Sequence, residues 1–239
     1  MSSTTLFTRG NPKTLKGEKF GYLTYILHLA PSRLSGFNVC PMASPGCATA
    51  CLNTAGHGGI FKAGENTNII QDARIRKTLW FFNDRESFMN QLVKETKIAI
   101  KNSPKDMIPV FRLNGTSDIR WETIPVVVDG IRYQNIMLAF PGTIYYDYSA
   151  LPNRKSIPPN YKLTFSRKEN NDSNVKLAIK NGLNVAVVFR KDLPKTYLGL
   201  NVINGDESDL RFLDPKNVIV GLKSKGRGKK DMSGFVLDI

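Results

Sequence analysis

The sequence predicts an α/β fold: a single domain arranged as a partial or irregular (β/α) barrel. Three observations carry that prediction. Short, uninterrupted apolar runs alternate with helical segments, the pattern of parallel βαβ units. Each apolar run ends in polar residues, which gathers polar groups at the carboxyl ends of strands, the functional rim of such barrels. No internal repeat and no low-complexity linker divides the 239 residues.

The elements follow in order. Residues 1–20 form a polar lead-in containing Gly and Pro. Tyr22 to Ala30 is the first strand, stopped by Pro31. Ile69 to Phe82 carries Ile69, Ala73, Leu79 and Trp80 at helical spacing. A second helix begins near Asn83 or Asp84 as N-cap and places Phe88, Leu92, Thr96, Ala99 and Ile100 on one face. Strands then run Ile108–Leu113 into Asn114–Asp118, Gly142–Tyr146 into Asp147–Ser149, and Tyr161–Phe165 into Ser166 and Arg167. Asp172–Asn181 is a helix stopped by Gly182. The remaining strands are Asn184–Phe189, Asn201–Ile203 leading to Asp206, and Val218–Val220 leading to Gly221 and Lys223. Several of the seven strands have no obvious helix between them, so the barrel is expected to be irregular.

Lys and Arg total 34 against 20 Asp and Glu, a net charge of +14. That excess favours anionic partners, either a small-molecule or nucleotide ligand or nucleic acid itself. The longest purely apolar runs, such as Ile136 to Phe140, are far short of a membrane span, so no membrane partner is expected. The amino terminus lacks the apolar core of a signal peptide, which points to the cytoplasm. Oligomeric state leaves no trace in the sequence.

All three cysteines, Cys40, Cys47 and Cys51, fall in one loop, residues 36–59, spaced Cys-x6-Cys-x3-Cys among small and turn-forming residues. An odd, clustered set in a cytosolic chain argues against a disulfide framework and for an inorganic centre. Three cysteines can hold a [4Fe-4S] cluster and leave one iron open to a substrate or cofactor. Zinc is the competing metal, with His57 as a fourth ligand, although the x6 gap exceeds ordinary zinc spacing. His28 lies in the first apolar run and reads as a hydrogen-bonded strand residue.

The expected barrel brings Asn114, Asp118, Asp147, Ser166 and Asp206 to the rim beside the cysteine loop as cofactor-binding groups. Arg112, Lys223 and Lys225 are the candidate substrate-binding cations, neutralising a phosphate or carboxylate. Two of these segments have plain alternatives. Arg112–Glu122 could equally be an Asx/ST turn, and Asn204–Asp209 either holds a ribose hydroxyl or magnesium ion or is a solvated acidic turn. Tyr145, Tyr146 and Tyr148 could stack a base, but strand alternation puts at least one of them in the core. The basic loop, residues 223–231, holds five Lys or Arg between Lys223 and Lys230 and suits phosphate. It does not match a P-loop, because Arg227 and Gly228 stand at the Lys and Ser/Thr positions. No dinucleotide-binding or serine-hydrolase motif occurs.

Gly36-x-Asn38-Val39-Cys40-Pro41, Gly46-Cys47 and Cys51-Leu52 resemble the opening of a bacteriophage family described as gene-product-88-like. RLNGTSDIRWE, YYDYS, YKLTFSRKEN, NVAVVF, NGDESDLRFLDP and GLKSKGRGKKDMSGFV resemble its later pattern, over about residues 22–236. This resemblance implies a phage-encoded protein acting in the cytoplasm of the bacterial host.

A second resemblance is to the radical S-adenosylmethionine (SAM) enzymes, α/β barrels in which three cysteines follow the first strand and SAM chelates the open iron. Their cysteines are usually spaced x3 then x2, and here Ala50 stands where an aromatic residue precedes the last cysteine. The leading expectation is thus an iron–sulfur protein resembling these enzymes and acting on a small anionic or nucleotide substrate. The alternatives are a basic nucleic-acid-binding phage accessory protein with a structural metal, and a zinc-containing transferase acting on nucleobases.

Overall fold

The computed structural model describes residues 5–9, 12–61 and 64–239, so residues 1–4 and 10–11 of the expected lead-in lie outside the described residues. The first elements are β1 (Phe7–Thr8), α1 (Pro12–Glu18), β2 (Tyr22–Leu27), α2 (Pro45–Thr49), α3 (Ile69–Asn83), α4 (Arg85–Asn102) and β3 (Ile108–Arg112). A hairpin of β4 (Val126–Val128) and β5 (Ile131–Tyr133) follows, then α5 (Ile136–Ala139), β6 (Ile144–Ser149), β7 (Tyr161–Ser166) and α6 (Asp172–Lys180). The chain continues through β8 (Val185–Phe189), β9 (Thr196–Tyr197), β10 (Leu200–Asn204), β11 (Ile219–Lys223) and β12 (Val236–Leu237).

One sheet orders these strands β1-β2-β3-β6-β7-β8-β11-β10-β9. Every pairing from β2 to β10 is parallel, and the two-residue edge strands β1 and β9 are antiparallel. The expected barrel is therefore not closed: the molecule has a large, mostly parallel open sheet. Short antiparallel strands cap both edges, leaving little free ladder. β7 stops pairing with β8 at Ser166↔Ala186, and β12 takes over the same edge of β8 at Val236↔Val188. That join brings the carboxyl-terminal segment against the end of β7.

Side-chain alternation gives the sheet two buried faces. On one, Leu23, Tyr25, Leu27, Phe111, Tyr145 and Tyr161 pack with Phe81, Phe88 and Leu92 of α3 and α4 and with Trp121. On the other, Val110 and Tyr146 pack with Leu210 and Phe212, from the segment that follows β10. A smaller cluster joins Phe165, Val185, Val187, Phe189 and Ile219 to Val175 and Ala178 of α6.

Local chemistry explains most boundaries. Asn68 caps α3 by accepting from the amides of Ile70 and Gln71, and Asp84 ends α3 and caps α4 through Ser87 N. Gly182, at φ 75°, terminates α6. The lead-in is more structured than its polarity implied: Leu6 is fully buried, and β1 and α1 flank β2. The β4–β5 hairpin escapes the apolar-run reading, although Asp129-Gly130 marks it; both residues have positive φ (51° and 79°), as a type I′ turn requires. β6 also runs longer than expected, through Asp147 to Ser149, because Tyr145–Ser149 pair continuously with Tyr161–Phe165. Asp147 consequently sits inside the sheet and not on its rim.

Candidate functional site

The cysteine loop lies across the carboxyl ends of the parallel strands, and a different element anchors each thiol. The turn after β3 holds Cys40: Asp118 N donates to Val39 O at 2.8 Å, and the Cys40 sulfur lies 3.4 Å from Ser32 N and 3.8 Å from Thr116 O. Cys47 rides on α2. There Ser44 Oγ accepts from Cys47 N and donates to Glu169 Oε2 at 2.6 Å, while Glu169 Oε1 accepts from Gly46 N at 2.7 Å. Only glycine fits at position 46, since a Cβ would stand 2.0 Å from Ser233 Oγ and 2.8 Å from Glu169 Oε1. Cys51 opens a short turn tied to α3 by Arg74, whose guanidinium donates to Asn53 Oδ1.

The three thiols are free and half-buried. They also lie within electrostatic reach of one another: charge on Cys51 or Cys47 raises Cys40, and charge on Cys51 raises Cys47. Burial is the larger cause and pushes Cys40 up to about 12 and Cys47 to about 11; it raises Cys51 as well, with Arg74 opposing. Asp118 and Glu169 add negative charge beside Cys47, and Lys168 adds positive. Without a metal the trio is therefore protonated at neutral pH. Among the described residues, no three His, Cys, Asp or Glu side chains gather tightly enough to hold a single metal ion. His57, the expected fourth zinc ligand, is exposed on the turn Gly56–Gly59.

Of the expected cofactor-binding residues, Asp118 is the one whose charge acts on the thiols, raising Cys40 and Cys47. Its carboxylate accepts from Ser149 Oγ at 2.7 Å and Ala150 N at 2.8 Å, and burial raises its pKa. Asn114 is consumed locally: its Oδ1 accepts from Ser117, Ile119 N and Trp121 Nε1, and its Nδ2 donates to Ile119 O and Tyr161. The Asx/ST-turn reading of this segment holds. Asp147 is fully buried and accepts from Asn114 N at 2.9 Å and Tyr161 OH at 2.9 Å. Ser166 closes β7, and its carbonyl accepts from Asn171 Nδ2. Asp206 meets Lys223 and Lys225 instead, accepting from Lys223 N at 2.8 Å and Lys225 Nζ at 2.7 Å. Arg112 pairs with buried Asp209 at 2.5 Å on the opposite face of the sheet from Tyr145. Tyr145 and Tyr146 are core residues.

Glu169, Arg74 and Arg154 were not singled out by sequence. Arg154 is buried, bonds Glu122, and lies 3.9 Å from Asp118. Beside it, a groove of about 390 Å³ opens between the end of β6 and α6, lined by Ser149, Leu151, Arg154, Leu163, Leu177 and Leu183. Asp118 thus touches the thiol surroundings on one side and two lining residues of the groove on the other.

The basic loop completes the edge. Its turn, Gly226–Lys230, packs on the chain either side of Cys51: a Cβ at Gly226 would stand 3.1 Å from Thr54 O, and one at Gly228 3.4 Å from Ala50 Cβ. The two densest motifs, far apart in sequence, are neighbours in space.

A family model described as gene product 88 matches residues 5–239. The chain belongs to the gene product 88 family. No curated protein and no solved structure matches it. In this family member, the phrases that resemble the family lie largely at one place. The cysteine loop, the exits of β3, β6 and β7, and the basic turn all contribute to the carboxyl edge of the sheet.

Proposed function

We propose that Cys40, Cys47 and Cys51 bind a [4Fe-4S] cluster with one iron open, in an iron–sulfur protein with radical-SAM-like chemistry on a small anionic or nucleotide substrate. The observation that carries this reading is the meeting of three free thiols, mutually in electrostatic reach, at the carboxyl edge of parallel strands. Each thiolate of a cluster binds a different iron, so the sulfurs stand apart by the width of the inorganic core. A tetrahedral zinc needs a fourth ligand beyond the three cysteines, and His57, the candidate, is exposed on the turn Gly56–Gly59. Zinc is the less favoured metal for that reason.

When bound, the cluster supplies redox iron and one coordination position for SAM or substrate. This chain's own residues do the rest. On loading, the raised thiols would lose their protons to solvent as their sulfurs take up the metal, and Arg74 beside Cys51 and Lys168 beside Cys47 would offset the thiolate charge. Glu169 fixes the α2 backbone around Cys47, and the groove lined by Ser149 and Arg154, both of which contact Asp118, gives a substrate room. The sequential order β2-β3-β6-β7-β8 is the order of a (β/α) barrel opened along one side, which favours the partial-barrel form of the reading. Free thiols and a cluster both suit a reducing compartment, here the bacterial cytoplasm during phage infection.

Anaerobic purification or reconstitution tests the reading by iron and acid-labile sulfide analysis. About four of each per chain is the expected result, abolished by any single Cys→Ala substitution and unaffected by His57→Ala. Zinc without sulfide overturns it. Reductive cleavage of SAM by the loaded protein tests the second half, and intact SAM beside a full cluster removes the radical chemistry alone.

A further inference from the structure

We propose that the turn Gly226–Lys230, with the cysteine loop it touches, forms a nucleic-acid-binding face on which Arg227, Lys229 and Lys230 contact phosphates. The basic segment divides into two sets. Lys225 is paired with Asp206 at 2.7 Å, and Lys223 lies 3.6 Å from Asp192. Arg227, Lys229 and Lys230 are exposed and make no ion pair with a described residue. On this face, phosphate contact is assigned to these three, whose charge no described carboxylate already answers.

Their backbone is held in place. The Arg190 guanidinium donates to Lys229 O at 2.8 Å and Asp231 O at 2.6 Å, Gly228 N bonds Lys225 O, and Gly226 and Gly228 seat on residues 50–55. Cations on a fixed turn lose less freedom on binding than cations on a flexible tail. Apolar side chains accompany them. Met232 is 91% exposed just beyond the turn, and Leu52, 58% exposed, follows Cys51 in the segment the turn packs against. These apolar groups offer contact to sugars and base faces beside the cations, while the cations themselves supply the sequence-independent phosphate contacts of a nucleic-acid binder. The net charge of +14 extends the attraction beyond these contacts and suits a polyanion better than one acidic side chain.

This binding does not require the cluster; that the bound strand is also the substrate of the thiol site rests on the iron–sulfur reading. The test is fluorescence anisotropy of a labelled 20-nucleotide single-stranded DNA, titrated at several salt concentrations. Arg227→Ala/Lys229→Ala/Lys230→Ala is expected to weaken binding at least tenfold and to flatten the plot of log affinity against log salt by about two. The control is Lys101→Ala/Lys105→Ala/Lys216→Ala, with the same charge loss on exposed residues ahead of β3 and β11, at the other edge of the sheet. It is expected to change affinity less than twofold. Equal losses in both variants overturn the proposal in favour of net charge alone. Binding to phosphatidylserine vesicles without binding to DNA overturns it in favour of a lipid surface. Circular dichroism checks that both variants fold. Iron and sulfide content of the same samples reads the cluster separately, so failure of either idea is visible without the other.

Discussion

Glu169 reaches from the end of β7 to the amide of Gly46, 2.7 Å away, and through Ser44 it fixes the helix that carries Cys47. One carboxylate thus couples the middle of the sheet to the cysteine loop across more than a hundred residues of chain. Glu169→Ala removes both acceptors and is expected to cost about 1–2 kcal/mol by urea denaturation, the range for a lost cap. Glu169→Gln keeps an acceptor for Gly46 N and is expected to lose less. Equal losses in the two variants would contradict the hydrogen-bonding account.

Arg112 and Asp209 form a buried pair that ties the segment after β10 to β3. Asp209→Asn leaves a guanidinium uncompensated and is expected to destabilise by about 3 kcal/mol or more. Arg112→Met with Asp209→Leu is expected to recover most of that loss, because two apolar residues avoid the desolvation of both charges. Urea midpoints of the three proteins decide the matter, and a double variant no better than Asp209→Asn refutes it.

Burial raises the Asp147 carboxyl to about 7, against the opposing effects of Arg112 and the hydrogen bonds from Asn114 N and Tyr161 OH. An unfolded chain ionises an aspartic acid near 3.9. Between those values the unfolded state has released a proton that the folded state keeps. Asp147 therefore makes stability fall as pH rises from about 4 to about 7, with no further change above. Asp147→Asn is expected to remove this component. The difference in urea midpoint between wild type and variant, measured at pH 4.5, 6 and 7.5, should shift toward the variant as pH rises; a difference independent of pH would exclude it.

Gly226 adopts φ 52°, and its hydrogen faces Thr54 O. Gly226→Val imposes a β-branched side chain on a left-handed backbone and drives it into the cysteine loop. The turn is expected to lift, exposing Arg227, Lys229 and Lys230 to faster trypsin cleavage than in wild type. Unchanged cleavage would mean that this contact does not hold the turn.

The helices α3, α4 and α6 and the strands of the parallel sheet were legible because their signals are local: capping residues, helical spacing and apolar runs. Asp84 and Gly182 act where their chemistry predicts. The two-residue strands β1, β9 and β12 were not, since such strands carry no period and exist only because a longer neighbour offers a free ladder. Asn114 and Asp147 looked like rim ligands because polar residues after an apolar run have the same composition whether they face a ligand or satisfy the turn. Their hydrogen bonds, Asn114's mostly to its own turn and Asp147's to Asn114 N and Tyr161 OH inside the sheet, distinguish the two.

By itself the sequence determined the α/β class, the family, and the grouping of three thiols in one loop, because those properties reside in residue types and short spacings. Tertiary structure alone decided that the sheet stays open, that Glu169, Asp118 and Arg74 surround the thiols, and that the basic turn lies against Cys51's neighbours. These are meetings of segments separated by dozens to hundreds of residues. They arise from strand order and from which faces must be buried, and no local pattern encodes either.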